Sequence, residues 1–157
     1  SASSSTSAKR AIDRPSTSAI VRFGIRLGRP AAESARSCSV AWDSGNFLDH
    51  EAIRLGHYPE ARSAAKGNEP EGIEVGLFGK DRLIFVGSER SSLVTVWRDR
   101  GVGQPPQYLQ ALPAGSGPEG LLAIPQRNLL VVASENDGAA RSSVMIYQRG
   151  AAEPAEP

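Results

Sequence analysis

One stretch of this sequence occurs twice. Pro70, Glu71 and Gly72 open a first copy, which continues through Ile84, Phe85, Val86, Gly87, Ser88 and Glu89 to Leu93, Val94, Thr95, Val96 and Trp97. Pro118, Glu119 and Gly120 open a second, which continues through Leu130, Val131, Val132, Ala133, Ser134 and Glu135 to Ser143, Val144, Met145, Ile146 and Tyr147. The Pro-Glu-Gly triplets stand 48 residues apart and the Ser-Glu pairs 46. The difference falls on a turn near Arg127 and Asn128. Each copy holds three short runs of apolar and β-branched residues bounded by turn formers, which read as strands. A self-similar period of this size built from such runs is the pattern of stacked β-propeller blades. The fold class expected is therefore all-β: a partial β-propeller of about two four-stranded blades, with one short helix and a disordered N-terminal arm.

At 157 residues the chain holds about two such repeats, whereas a closed propeller needs about four blades or more. The remaining blades of a parent protein are thus the first partner expected. Neighbouring repeats bury each other's faces, so two alone should leave open apolar surfaces and associate or melt without cooperativity. The net charge of +1 gives no field that would attract nucleic acid. A single cysteine, Cys38, cannot form an internal disulfide, and as a residue of a short strand it reads as a small apolar side chain. No apolar run is long enough to span a membrane.

Residues 1–35 divide into a Ser/Ala/Thr segment with scattered Arg and Lys, which buries too little apolar surface to offset its ordering entropy, and a weak alternation over 20–27 that suits an edge strand. The composition of the first 18 residues fits a plain tail or an organelle transit peptide. A strand is expected over 36–43 around Cys38, Val40 and Trp42, then a turn at Asp43, Ser44 and Gly45. Residues 46–55 carry the one helical pattern: Asn46 as N-cap, Asp49 in the first turn, Phe47, Leu48, Ala52 and Leu55 on one face, and Gly56 as the stop. The β-rich unit expected runs over 36–148. In its first repeat strands fall at 72–75, 83–86, 93–97 and 107–112; in its second, at 121–124, 129–133 and 143–147. Residues 149–157, an Ala/Glu/Pro tail, read as linker.

The run Lys66, Gly67, Asn68, Glu69, Pro70, Glu71, Gly72 resembles the Lys-Gly-Pro-Glu-Pro-Glu-Gly signature of the choice-of-anchor I domain, a family that includes mesenchyme-specific cell-surface glycoproteins. Asp43-Ser44-Gly45 before the helix, Phe85-Val86-Gly87-Ser88-Glu89-Arg90, Gly117-Pro118-Glu119-Gly120 and Val132-Ala133-Ser134-Glu135 are similar to further motifs of the family, in the same order. Ser88 stands where the family has Leu, and Ser134 where it has Asn. The resemblance covers about residues 36–148. It implies a propeller that is extracellular, periplasmic or anchored at the cell surface. Some family members carry phosphatase or phytase-esterase names.

Glu71 and Glu119 hold the same place in both repeats. On a propeller's inner strands such carboxylates converge, and convergent oxygen ligands suit Ca²⁺. Glu69 and Asn68 extend the same oxygen-rich loop, so the metal candidates are Glu71, Glu119, Glu69 and Asn68. The other reading gives each Glu the task of pinning a tight Pro-Glu-Gly turn by accepting backbone hydrogen bonds. Glu89 and Glu135 follow the second strand of each repeat and belong to the channel rim, either lining it or pairing with Arg90 and Arg141. The two histidines, His50 and His57, are not at the spacing of a helical zinc pair. Ser44 lacks the Gly-x-Ser-x-Gly context of a hydrolase nucleophile. No catalytic residue stands out. The function expected is a secreted or surface-anchored binding or structural module with a possible Ca²⁺ site at the channel. The alternative is a metal-dependent phosphoesterase completed by blades outside this chain, whose chelator-sensitive hydrolysis of a chromogenic phosphate ester would separate the two. An intracellular propeller of the Trp-Asp class is disfavoured, because Trp97 is followed by Arg98.

Overall fold

The computed structural model describes residues 22–23, 40–135 and 141–150, with the side chains of 22–23 left aside. The arm over 1–35, apart from 22–23, the segment around Cys38 and the tail from 151 lie outside the described residues. Among the described residues the two larger antiparallel sheets, of four and three strands, are not closed into a ring. Strands β1 (Arg22–Phe23) and β2 (Trp42–Asp43) form a short ladder of their own. Helix α1 (Phe47–Arg54) follows. The first sheet is a meander of β3 (Pro70–Phe78), β4 (Asp81–Ser88), β5 (Leu93–Arg98) and β6 (Gln107–Pro113). The second is a three-stranded meander of β7 (Pro118–Ile124), β8 (Leu129–Ser134) and β9 (Ser143–Gln148). All seven strands expected from the repeat are present, each longer than expected by a residue or more. Among the described residues no helix is long and apolar enough to cross a membrane.

The duplication survives in the register. Gly72 pairs with Gly87 and Gly120 with Ala133; Ile84 pairs with Trp97 and Leu130 with Tyr147. The two-residue difference between the copies lies in the first hairpin of each sheet. β3 turns into β4 through Gly79, at φ +63°. β7 instead passes through a 3-10 turn over Pro125–Arg127 that ends on Asn128 in the left-handed region.

The sheets stack through β3 and β7. Phe78, Leu83, Phe85, Val94 and Val96 from the first sheet meet Leu130 and Val132 from the second in one buried cluster. Complete burial of an aliphatic side chain of this size is worth about 1.5–3 kcal/mol. The outer corner is tied down by Arg149, which donates to the Phe78 carbonyl (2.6 Å) and to Asp81. That hydrogen bond holds the Asp81 carboxyl below its usual range.

The opposite face of the first sheet carries α1. Leu48, Ile84, Val86 and Trp97 are buried there, flanked by Trp42, Phe47 and Tyr108. The helix starts where the sequence indicates, but Asn46 does not cap it with its side chain. Its first turn is set up instead by an Asp43 turn, in which the Gly45 N–H donates to Asp43 Oδ1 (2.9 Å), and by the Phe47 N–H donating to the Ser44 carbonyl. Gly56 ends it at φ +74°, with the Gly56 and His57 N–H groups donating to the Ile53 and Ala52 carbonyls, the pairing of a Schellman motif. Leu48 and Ala52 are buried as their spacing implies, whereas Leu55 is exposed. The polar stretch after the helix folds into a 3-10 turn over Glu60–Arg62.

Candidate functional site at the seam of the sheets

The Pro-Glu-Gly triplet is a β-bulge rather than a tight turn. In β3 the register slips between Pro70 and Gly72, and in β7 between Pro118 and Gly120. Glu71 and Glu119 are the extra residues, left without a partner on the neighbouring strand. A bulge re-aims the side chain of its extra residue, and here it does so at the same place in both repeats. The loop ahead of each bulge is pinned in the same way. The Glu89 N–H donates to the Glu69 carbonyl (3.0 Å), and the Glu135 N–H donates to the Gly117 carbonyl (2.9 Å).

These two devices, with the stacking of β3 on β7, draw five carboxylates to one seam. Glu69, Glu71 and Glu89 bring one oxygen each within 4.8 Å of one another, and so do Glu89, Glu119 and Glu135. Glu89 belongs to both groups. It is buried, at 4% exposure, so the pair it makes with Arg90 (2.6 Å) is not the exposed rim bridge its place in the sequence suggests. Burial pushes its carboxyl above the usual range; Arg90 opposes this, while Glu69, Glu71 and Glu119 add to it. Glu71, Glu119 and Glu135 are exposed and make no ion pair among the described residues. Arg141, the other arginine considered for Glu135, forms none there either.

Glu69 is held differently. Its buried carboxylate accepts hydrogen bonds from Lys66, from Arg90 Nε (3.0 Å) and from Arg62 (3.5 Å). Lys66 first, then Arg90, hold the carboxyl below its usual range against desolvation. Asn68 is buried too. Its amide donates to Ser88 Oγ (3.2 Å), and its carbonyl oxygen accepts from the Ser91 hydroxyl. Both residues are therefore spent on fixing the loop that presents Glu71. Arg90 bridges Glu69 and Glu89, a role the sequence does not announce.

Glu69 also sits at φ +51°, and its counterpart in the second repeat is Gly117 at φ +63°. One repeat fills the left-handed position with glycine and the other with a carboxylate clasped by three cations. For a residue with a Cβ this conformation costs about 1–2 kcal/mol. Glu69→Gly is therefore expected to be less destabilising than Glu69→Ala by about 1 kcal/mol, because both lose the ion pairs and only alanine keeps the strain. Urea denaturation of the two variants at neutral pH measures the difference; equal midpoints would mean that the backbone relaxes freely.

The sequence motifs and this geometry together invite comparison with known families. Residues 31–102 match the choice-of-anchor I domain. The choice-of-anchor I match takes in α1, β3, β4 and β5 with Glu69, Glu71 and Glu89, and stops short of β6 and the second repeat. No curated protein and no solved structure matches the chain.

Proposed function

We propose that this chain is part of an extracellular or surface-anchored module in which the two sheets are adjacent blades of a β-propeller, and that the seam between them binds Ca²⁺. The choice-of-anchor I match supports the location. One observation carries the cation: bulges at equivalent positions place exposed, unpaired carboxylates beside the buried Glu89. Ca²⁺ takes oxygen ligands in a flexible arrangement, and Glu89, Glu119 and Glu135 supply them without disturbing the clasp on Glu69. Glu71, in the first repeat with Glu89, adjoins the set. A cation here neutralises the mutual repulsion that Glu89 feels and joins the two sheets at their inner edge. Asn68 and Glu69 serve the site by holding its loop.

Calorimetric titration of Ca²⁺ into the full chain tests this. Binding requires ionised carboxylates. Glu89 titrates above the usual range because of burial and its acidic neighbours, so affinity should climb as pH rises through and beyond the ordinary glutamate range, then level off. Glu119→Gln should weaken binding by about tenfold or more, and Glu71→Gln combined with Glu119→Gln further. Unchanged affinity in the double variant would remove the cation from this seam.

A further inference from the structure

Equivalent faces of the two repeats are filled differently. On the first sheet, Ile84, Val86 and Trp97 are buried beneath α1. Rings from outside the sheet close that face: Phe47 and Trp42 meet Trp97 edge-on, at 4.8 and 5.5 Å between centroids. The repeat equivalents of those three residues are Leu130, Val132 and Tyr147, with Leu130 pairing Tyr147 as Ile84 pairs Trp97. Leu130 and Val132 are covered by the first sheet. Tyr147 meets no aromatic ring among the described residues, and lines a cleft instead.

The stacking of the sheets is concentrated on β3 and β7. Toward the outer strands it leaves a cleft of about 300 Å³, walled by Phe85, Val96 and Leu112 from the first sheet and by Leu130 and Tyr147 from the second. Two of the lining residues cross it to the first sheet: the Tyr147 hydroxyl donates to the Pro113 carbonyl, and Arg149 donates to the Phe78 carbonyl and to Asp81. A space of this size is at the lower end of those that hold small molecules. Atoms around an unfilled space forgo dispersion contacts, and an apolar space holds water poorly but takes apolar rings. The lining sets the chemistry of the occupant. Its walls are apolar, with Phe78 and Phe85 set edge-on at 5.7 Å. Arg149 is the one charged residue there and its guanidinium is already engaged, so no charge is left for an ionised ligand. Gln110, Asn128 and Gln148 add exposed carboxamides. Their side chains make no hydrogen bond among the described residues, and each can both donate and accept.

We propose that this cleft binds one neutral aromatic molecule bearing a hydroxyl or amide group. Its ring packs against Tyr147 as Phe47 packs against Trp97, and its polar group meets the carboxamides of Gln110 and Gln148. No residue of the carboxylate seam lines the cleft, so the two sites are independent.

Calorimetric titration of 2-naphthol into the full chain, with a chelator present, tests the proposal. The wild type should bind one molecule per chain. Naphthalene-2-sulfonate, of the same ring but charged, should bind more weakly by about tenfold or more, because a buried charge without a partner is costly. Leu112→Trp places a ring in the cleft, so it should abolish naphthol binding while the urea midpoint holds or rises. Gln148→Ala should weaken binding by about fivefold, the loss of one hydrogen bond. Val144→Ser, on the exposed outer face of the second sheet, should leave it unchanged. Four results would overturn the proposal: no saturable binding to the wild type, as expected if the cleft takes only an aromatic side chain of another polypeptide; equal affinity for the sulfonate; binding that survives Leu112→Trp; or binding lost in Val144→Ser, which would put the naphthol on the outer face. Should Leu112→Trp lose its strands by circular dichroism, Gln110→Trp, at an exposed position on the same cleft, carries the same comparison.

Discussion

Trp97→Ala should cost about 3–5 kcal/mol of stability, the range for deleting a large aromatic from a core, and should free α1 from the first sheet. Trp97 is 4% exposed and is the hub of the cluster beneath the helix. Its ring meets Trp42 at 5.5 Å, Phe47 at 4.8 Å and Tyr108 at 5.3 Å between centroids, all edge-on. Its indole N–H donates to Thr95 Oγ1 (3.0 Å). Phe47 and Leu48 pack on this cluster and so hold an eight-residue helix that could not persist alone in water. Tyr108 adds a hydrogen bond to Glu51, which Arg54 also clasps at 2.6 Å; burial and that contact push the Tyr108 phenol up to about 12. Hydrogen exchange should therefore show amides of residues 47–54 losing protection in Trp97→Ala while β7 to β9 keep theirs, with a lowered urea midpoint for the whole. Protection of the helix unchanged from wild type would mean that Glu51 and Tyr108 suffice to hold it.

The strands were legible because each is a short apolar run in a repeat, and a repeated error would have had to be made twice. The helix was legible from Gly56 and the spacing of Leu48 and Ala52. The bulges were not, because a bulge is a relation between two strands: nothing in Pro-Glu-Gly alone shows that Glu71 lacks a partner opposite Ser88 and Gly87. Asp43-Ser44-Gly45 announced a turn, yet not that this turn would start α1 in place of a capping Asn46 side chain. The convergence of Glu69, Glu71, Glu89, Glu119 and Glu135 was only half legible. Their equivalent positions said that pairs would share a height in the stack. The convergence of Glu119 and Glu135 on Glu89 depends on how closely β3 approaches β7, whereas Arg90 bridges Glu69 and Glu89 within the first repeat. One signal went unused: aligning the repeats sets Glu69 against Gly117, and a glycine opposite a glutamate marks a left-handed position before any coordinates are known.

The consequence of that close approach is measurable at Gly76. A Cβ built there would stand 2.7 Å from Phe78 Cε2, 2.9 Å from Ala123 Cβ and 3.2 Å from Pro125 Cγ. Two of those atoms belong to side chains with no freedom to swing away, Ala123 on β7 and Pro125 in the turn that follows it. Gly76 is not among the glycines at positive φ, so its constraint is space rather than backbone conformation. Gly76→Val should therefore push β3 off β7 and cost about 3 kcal/mol or more, the upper part of the range for overpacking. Gly79→Ala is the contrast. It sits at φ +63° with nothing within 4 Å of an added Cβ, so its cost is the left-handed conformation alone, about 1 kcal/mol. Separation of the sheets would also draw Glu119 and Glu135 away from Glu89, so Gly76→Val should weaken the Ca²⁺ binding proposed for the seam while Gly79→Ala leaves it unchanged. Chemical denaturation and calorimetry on the same two variants give both readouts. Should Gly76→Val prove no less stable than Gly79→Ala, the contact between β3 and β7 is looser than this structure requires, and the convergence of carboxylates that depends on it falls too.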